Sequence, residues 1–186
     1  YPDEWIIRGN HHDGWNHGAA DPISGMVALL AEAKSVAKLA QSDKRPLRTI
    51  IYAAWDAEEV GLIGSTEWAE EHADELREHV VAYLNTDGNS RGFVNIGGSH
   101  VLERFFNQII EEVRDPLMDI SLKERKRADL KLNNSSAQKQ KDAKKRSDIR
   151  INPLGSGSDY TPFLQHLGIS SANISFGGEA RDGSYH

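Results

Sequence analysis

Residues 48–59, Arg-Thr-Ile-Ile-Tyr-Ala-Ala-Trp-Asp-Ala-Glu-Glu, decide how the rest of the chain is read. Ile50 to Trp55 form an apolar, β-prone run too hydrophobic for a surface loop, and it ends on two adjacent carboxylates, Glu58 and Glu59. Gly61 and Gly64 then turn the chain sharply before a helical stretch from Thr66 to Arg77. A buried strand that runs into a turn and a helix is the unit of an open α/β sheet, and such sheets carry their chemistry at the carboxyl ends of the strands. Consecutive side chains at such a turn point in different directions, so one glutamate can ligate a metal while the other acts as general base toward a water. Two solvated acids favoured by a helix dipole fit this stretch equally well when it is taken alone.

Upstream, Trp5 to Ile7 form a short apolar run followed by His-His-Asp-Gly-Trp-Asn-His at residues 11–17. This pattern predicts a strand tip carrying ligands. His11 is the candidate, with Asp13 placed to accept the proton of its other ring nitrogen, while His12 and His17 read as exposed. Gly-Ala-Ala-Asp-Pro-Ile-Ser-Gly brings Asp21 to a small-residue turn before a helix predicted over 24–40. Its inward face reads as Met26, Leu29, Leu30, Ala33, Val36, Ala37 and Ala40, with Glu32, Lys34 and Lys38 in water. A turn-rich connection over 41–47 leads to the central strand.

Downstream, residues 79–86 form another β-like run ending in Asn85, Thr86 and Asp87. Strand-helix-strand connections are right-handed and set neighbouring strands parallel, so the carboxyl ends should lie along one rim. That rim would gather His11, Asp21, Glu58, Glu59 and Asp87 from distant parts of the sequence. Phe93, Val94 and Ile96 predict a further strand, and residues 101–113 a helix with Leu102, Phe105, Phe106, Ile109, Ile110 and Val113 inward. Residues 121–150 are basic, with few aromatic or β-branched side chains, and read as a surface insertion forming a solvated, partly mobile loop. Leu-Gly-Ser-Gly-Ser-Asp-Tyr at 154–160 is a glycine-rich turn able to present amides to a carboxylate or oxyanion, and it lacks the lysine of a phosphate loop. A last strand over 169–176 precedes a loop ending on Tyr185 and His186.

Composition narrows the chemistry. The 186 residues fit one domain, and 38% hydrophobic residues with a net charge of −6 describe a globular chain with no bulk reason to bind nucleic acid. The chain has no cysteine, so disulfides, thiolate metal sites and cysteine nucleophiles are excluded together, and any metal must be held by His, Asp and Glu. No signal peptide or methionine opens the sequence, and the expectation is of a processed or truncated piece.

The motifs resemble one family closely. His-His-Asp-Gly-Trp, Gly-Ala-Ala-Asp-Pro-Ile-Ser-Gly, the stretch from Arg48 through Glu71, Leu-Asn-Thr-Asp, Leu-Gly-Ser-Gly-Ser-Asp-Tyr and Ser-Tyr-His resemble, in this order, the catalytic domain of the co-catalytic di-zinc exopeptidases of clan MH. The similarity is to the branch of glutamate carboxypeptidase II and the transferrin receptor. It implies an α/β fold, a three-layer α-β-α sandwich around a mixed, mostly parallel sheet, with residues 1–186 a partial catalytic domain. It implies that His11 and Asp87 ligate one zinc, Glu59 and His186 the other, and Asp21 bridges both. Glu58 becomes the general base and Asp13 the partner of His11. Leu62, Ser156, Gly157, Ser158 and Tyr185 would line the substrate cleft. Glu67 and Glu70 are candidate calcium ligands, a plain exposed helix face being the alternative. An Asp21–Pro22 cis peptide is expected, since proline alone makes that isomer cheap.

The implied reaction is hydrolysis of a terminal peptide bond of a peptide substrate, with Glu58 deprotonating a zinc-activated water. Asn173 and Ser175 stand where glutamate carboxypeptidase II has arginines that favour acidic substrates. The family's helical dimerisation domain lies outside this chain, so a homodimer would form through that domain. The resemblance further implies a secreted, periplasmic or extracellular protein. Two relatives define the alternatives: a transferrin-receptor-like binding domain without metal, and a single-zinc glutaminyl cyclase. The five ligand positions and Glu58 favour the hydrolase over both.

Overall fold

The computed structural model describes residues 1–179 and 186. Five strands form one mixed sheet: β1 (Trp5–His11), β2 (Thr49–Trp55), β3 (Val80–Asn85), β4 (Gly92–Gly98) and β5 (Ser171–Gly178), in the spatial order β2-β1-β3-β5-β4. All neighbours are parallel except β4, which runs antiparallel to β5. The parallel register places His11 beside Trp55 and Gly9 beside Asn85, so three strands end at one rim. Helices cover both faces, giving the three layers expected: α1 (Ser24–Ala40), α2 (Ile63–Glu71), α3 (Ala73–His79), α4 (Glu103–Glu112), α5 (Leu122–Leu132) and α6 (Ala137–Lys145). Single helical turns lie at Ala19–Ile23, His100–Leu102 and Pro162–His166.

Two apolar clusters hold these layers. Ile7, Trp55, Tyr83, Leu76 and Phe163 centre the larger one, where the Tyr83 and Phe163 rings stack 4.1 Å apart. Val94, Ile110, Leu122 and Ile149 centre the second, between β4 and the helices α4 and α5. Alternation along β1 puts Ile7 in the first cluster and turns Arg8 to the opposite face, where its guanidinium binds Glu32 of α1 at 2.6 Å. That pair corrects the expected face of α1. Glu32 takes an inner position in line with Met26 and Leu29, and Leu30 is left 61% exposed.

Three more expectations are corrected. The single helix over 66–77 is two helices broken at His72, whose ring stacks on Trp68 while Nδ1 meets the Trp68 carbonyl at 2.9 Å. The helix over 101–113 begins with a tight turn at His100–Leu102, and only Phe106 and Ile110 of its apolar side chains are buried; Phe105, Ile109 and Val113 are exposed. Residues 121–150 are no solvated loop but carry α5 and α6. Ser121 caps α5 in a reciprocal pair with Glu124, and buried Arg125 binds Asp115 and Glu179 while lying over the Phe93 ring. The returning chain is held by Asn107, which accepts the Ile149 N–H at 2.8 Å and donates to the Ile149 carbonyl at 2.8 Å. Composition hid this because three of the few apolar side chains of the segment, Leu122, Leu130 and Ile149, are spaced to pack on the second cluster.

Candidate active site

The rim of the sheet gathers the predicted residues. His11 ends β1 with 1% exposure, and its Nε2 lies 3.0 Å from Asp21 Oδ1 and 3.9 Å from Asp87 Oδ1. Asp21 sits in the turn before α1, where the Asp21–Pro22 peptide is cis as expected. Fully buried Asn10 joins these segments, donating to the His11 carbonyl at 2.6 Å and the Pro22 carbonyl at 3.1 Å. Gly25, at the start of α1, faces the end of β3 so closely that a Cβ there would stand 2.3 Å from the Asp87 carbonyl.

Glu58 and Glu59 follow β2 on a turn bracketed by two left-handed residues, Ala57 (φ 58°) and Leu62 (φ 59°). Asp13 holds this turn through its carboxylate. It accepts the Glu58 N–H on Oδ1 at 3.0 Å and the Glu59 N–H on Oδ2 at 3.2 Å. Asp13 also stands at the His11 ring: Nδ1 meets the Asp13 carbonyl at 3.0 Å, and carboxylate Oδ1 stands at 3.4 Å. His186 reaches the same rim, its Nδ1 lying 3.1 Å from Glu59 Oε1. The remaining candidates scatter. Leu62 is half-buried, and Ser156 and Gly157 are exposed. Ser158 is buried, and its hydroxyl donates to Asp87 Oδ1 at 2.8 Å. Tyr185 lies outside the described residues. Glu67 and Glu70 are exposed on α2, and His12 and His17 are exposed too.

Asp87 is oriented from the core. Trp55 Nε1 donates to the Tyr83 hydroxyl at 3.0 Å, Tyr83 donates to Asn85 Oδ1 at 2.8 Å, and Asn85 Nδ2 donates to Asp87 Oδ1 at 2.8 Å. The sequence reading missed this relay and missed Asp159. Asp159 is fully buried, with neither carboxylate oxygen in bonding geometry with a donor; the nearby Ser65 hydroxyl favours its charged form but bonds to the Leu62 carbonyl at 3.3 Å. An acid set directly before the apolar run Tyr-Thr-Pro-Phe-Leu was the available signal.

The electrostatics are those of crowded acids. Burial pushes the Asp159 carboxyl up to about 7, with the Asp87 charge adding to it. Burial likewise raises Glu58 to about 7, against the opposing pull of His11 and helped by Asp159, Asp87 and Glu59. Asp87 is raised by burial, although Ser158 and Asn85 oppose this. Burial lowers His11, but the hydrogen bond to Asp21 and the charges of Glu58 and Asp87 outweigh it and carry the ring to about 9.

These acids and imidazoles suit a divalent cation in chemistry, since positive charge is what the cluster lacks and oxygen and imidazole donors are what zinc accepts. His11 lies against Asp21 at 3.0 Å with Asp87 at 3.9 Å, and His186 lies against Glu59 at 3.1 Å. Among the described residues no group of three or more is disposed to hold a metal ion.

Comparison with known proteins agrees with this architecture. The model of peptidase family M28 matches residues 1–186. The chain belongs to that family. Across 180 residues it is 39% identical to a probable glutamate carboxypeptidase, VP8, of Zea mays, covering 96% of this chain and 23% of that protein. It is 35% identical over 188 residues to the aminopeptidase NAALADL1 of Mus musculus, covering 94% of this chain and 23% of that protein. The M28 chain thus spans about a quarter of the length of these relatives. The solved zinc aminopeptidase BSAP of Bacillus subtilis shares its fold, with a TM-score of 0.55 at 19% identity over 98% of this chain and 38% of that one.

Proposed function

We propose that this M28 chain is the metal-binding part of an exopeptidase that cleaves a terminal peptide bond using two zinc ions, with Glu58 as general base. His11 and Asp87 would hold one zinc, Glu59 and His186 the other, and Asp21 would be shared between them. When bound, zinc supplies the Lewis acidity that activates water and polarises a carbonyl. The observation that carries the reading is Glu58 itself: a carboxyl raised to about 7, fixed by the Asp13 clamp on its peptide N–H, beside His11 and Asp87. A carboxylate placed there can take a proton from water and give it up again. Glu58 accordingly accepts the proton of the attacking water and delivers it to the amine nitrogen as the C–N bond breaks. Asp87, held by Asn85 and Ser158, and His11, held by the Asp13 carbonyl, keep their donor atoms in place, so little reorganisation accompanies the reaction.

The test is zinc content by elemental analysis in the full-length protein and in Glu58→Gln, together with hydrolysis of aminoacyl and peptidyl-glutamate substrates. Two zincs in both, with activity lost only in Glu58→Gln, is the expected result. One zinc with acyl transfer would favour the cyclase alternative. No zinc and no hydrolysis would reject the enzymatic reading in favour of a binding domain.

A further inference from the structure

A cavity of about 420 Å³ lies between the start of α1, the segment after β3, the strands β4 and β5, and α5. Its wall includes Ala20 and Gly88, the sequence neighbours of Asp21 and Asp87. That volume falls in the range of small-ligand sites. Part of the wall comes from α5, the helix in the basic segment that the catalytic reading does not use, through Lys126 and Asp129. Lys126 Nζ donates to Asn95 Oδ1 at 2.8 Å, pairs with Asp129 Oδ2 at 3.2 Å, and lies 6.0 Å from the centre of the Phe93 ring. Both side chains of the pair are largely buried, at 17% and 19% exposure, and among the described residues the lining holds no other charge. Ser175 and Phe176 of β5 add a hydroxyl and an aromatic surface.

We propose that this cavity is the pocket for a residue flanking the scissile bond, that it takes an uncharged hydrogen-bonding side chain of the glutamine type, and that Asp129 is its specificity-determining residue. The inference rests on the peptidase reading above. One ammonium and one carboxylate already bonded together give the cavity polar groups without net charge. A glutamine amide exchanges hydrogen bonds with Asn95 and Ser175 at no cost in charge. A glutamate carboxylate gives up its water, meets Asp129 as a like charge, and finds the only cation already neutralised. The same pocket would favour acidic residues if Asp129 did not offset Lys126.

The test uses matched dipeptides that differ only in Gln or Glu on one or the other side of the cleaved bond. The readout is the Glu-to-Gln ratio of kcat/KM in the zinc-loaded, full-length protein, with folding checked by circular dichroism. The ratio should be below one in the wild type and rise about tenfold in Asp129→Asn, where Lys126 is left unopposed. It should fall in Lys126→Met and return near the wild-type value in the double variant. Ser175→Asp, outside the ion pair, is a separate probe and should lower the ratio by placing a second acid in the wall. Continued hydrolysis with an unchanged ratio in Asp129→Asn, Lys126→Met and Ser175→Asp would overturn the assignment of the pocket while leaving the peptidase standing. A wild type that hydrolyses neither set when loaded with zinc would overturn the peptidase reading, and this inference with it.

Discussion

Asp13 and Glu58 are joined by a hydrogen bond from the Glu58 N–H to Asp13 Oδ1 at 3.0 Å, and the other oxygen of the same carboxylate takes the Glu59 N–H at 3.2 Å. One side chain on the loop after β1 thus fixes both glutamates on the loop after β2. The clamp also offsets the cost of the left-handed backbone at Ala57, which a non-glycine residue adopts only at about 1–2 kcal/mol. Asp13→Ala removes both acceptors. We expect kcat to fall about 100-fold, the scale on which misplacing a reacting group acts, together with weaker zinc binding at the proposed ligand Glu59. Asp13→Asn keeps one carbonyl acceptor and should fall between. Steady-state kinetics and zinc titration measure both effects, and an Asp13→Ala protein within twofold of wild type would mean that the glutamates are held by other contacts.

Gly25 tests the packing that brings Asp21 to Asp87. A Cβ at this position meets the Asp87 carbonyl at 2.3 Å, Asn10 Oδ1 at 2.5 Å and the Thr86 carbonyl at 2.6 Å. Two of the three are backbone atoms, so relief requires α1 to move away from the end of β3. Gly25→Ala should cost about 1–3 kcal/mol, as overpacked interiors do, and should weaken zinc binding because the loop before α1 carries the proposed ligand Asp21. Urea denaturation of the metal-free protein isolates the first effect, and competition with a chelator measures the second. Normal stability and normal zinc affinity together would show that α1 can shift freely.

The strands were legible because β1, β2 and β3 each combine an apolar run with a polar terminus, which fixes both the buried stretch and the rim where it ends. The helices were less so. Arg8 inside the sheet demands a counter-charge, and supplying it from Glu32 rotated α1 away from the stripe that hydrophobicity alone predicts. The residues set against the rim followed the motifs, but what supports them did not: Asn85, Tyr83 and Trp55 act by hydrogen bonds across strands, and Asp159 by burial, neither of which leaves a period in sequence. Residues 121–150 were misjudged because a long-range contact, Asn107 with Ile149, and a buried arginine hold a segment whose composition is that of a solvated coil.

The relay behind Asp87 makes Tyr83 a clean probe of polar satisfaction in the core. Its hydroxyl accepts from Trp55 and donates to Asn85, and burial, the first of its influences, keeps it neutral well above its usual range. Tyr83→Phe retains the ring stacked on Phe163 but leaves the Trp55 N–H and Asn85 Oδ1 facing no partner. The expected loss is about 2 kcal/mol, within the range for a buried unsatisfied group. The Phe163 stack should remain intact, so the far-ultraviolet signature of the fold should be preserved while the denaturation midpoint drops. An unchanged midpoint would show that water or a rearranged Asn85 replaces the hydroxyl.

Asp159 predicts how the metal-free protein responds to pH. Its folded carboxyl, raised by burial to about 7 from the usual 3.8, keeps a proton across a range in which the unfolded chain has lost it. The folded state therefore binds more protons than the unfolded state between those values, and the contribution of Asp159 to stability falls as pH rises from about 4 to about 7, then levels off, while His11, carried to about 9, extends the decline of total stability to higher pH. About three pH units at about 1.4 kcal/mol each set an upper bound of ~4 kcal/mol on this loss. Glu58, raised to about 7 by burial, adds a slope of the same sign in the same window. Asp159→Asn cannot ionise and should lose most of its share of the slope, so the chelator-treated variant should be more stable than wild type at pH 8 and closer to it at pH 4. Saturating zinc should stabilise the wild type more at pH 8 than at pH 5, since a cation is worth most where the acids are charged. Parallel urea curves across this pH range provide the measurement, and equal slopes in wild type and Asp159→Asn would show that this buried carboxyl is not what opposes folding at neutral pH.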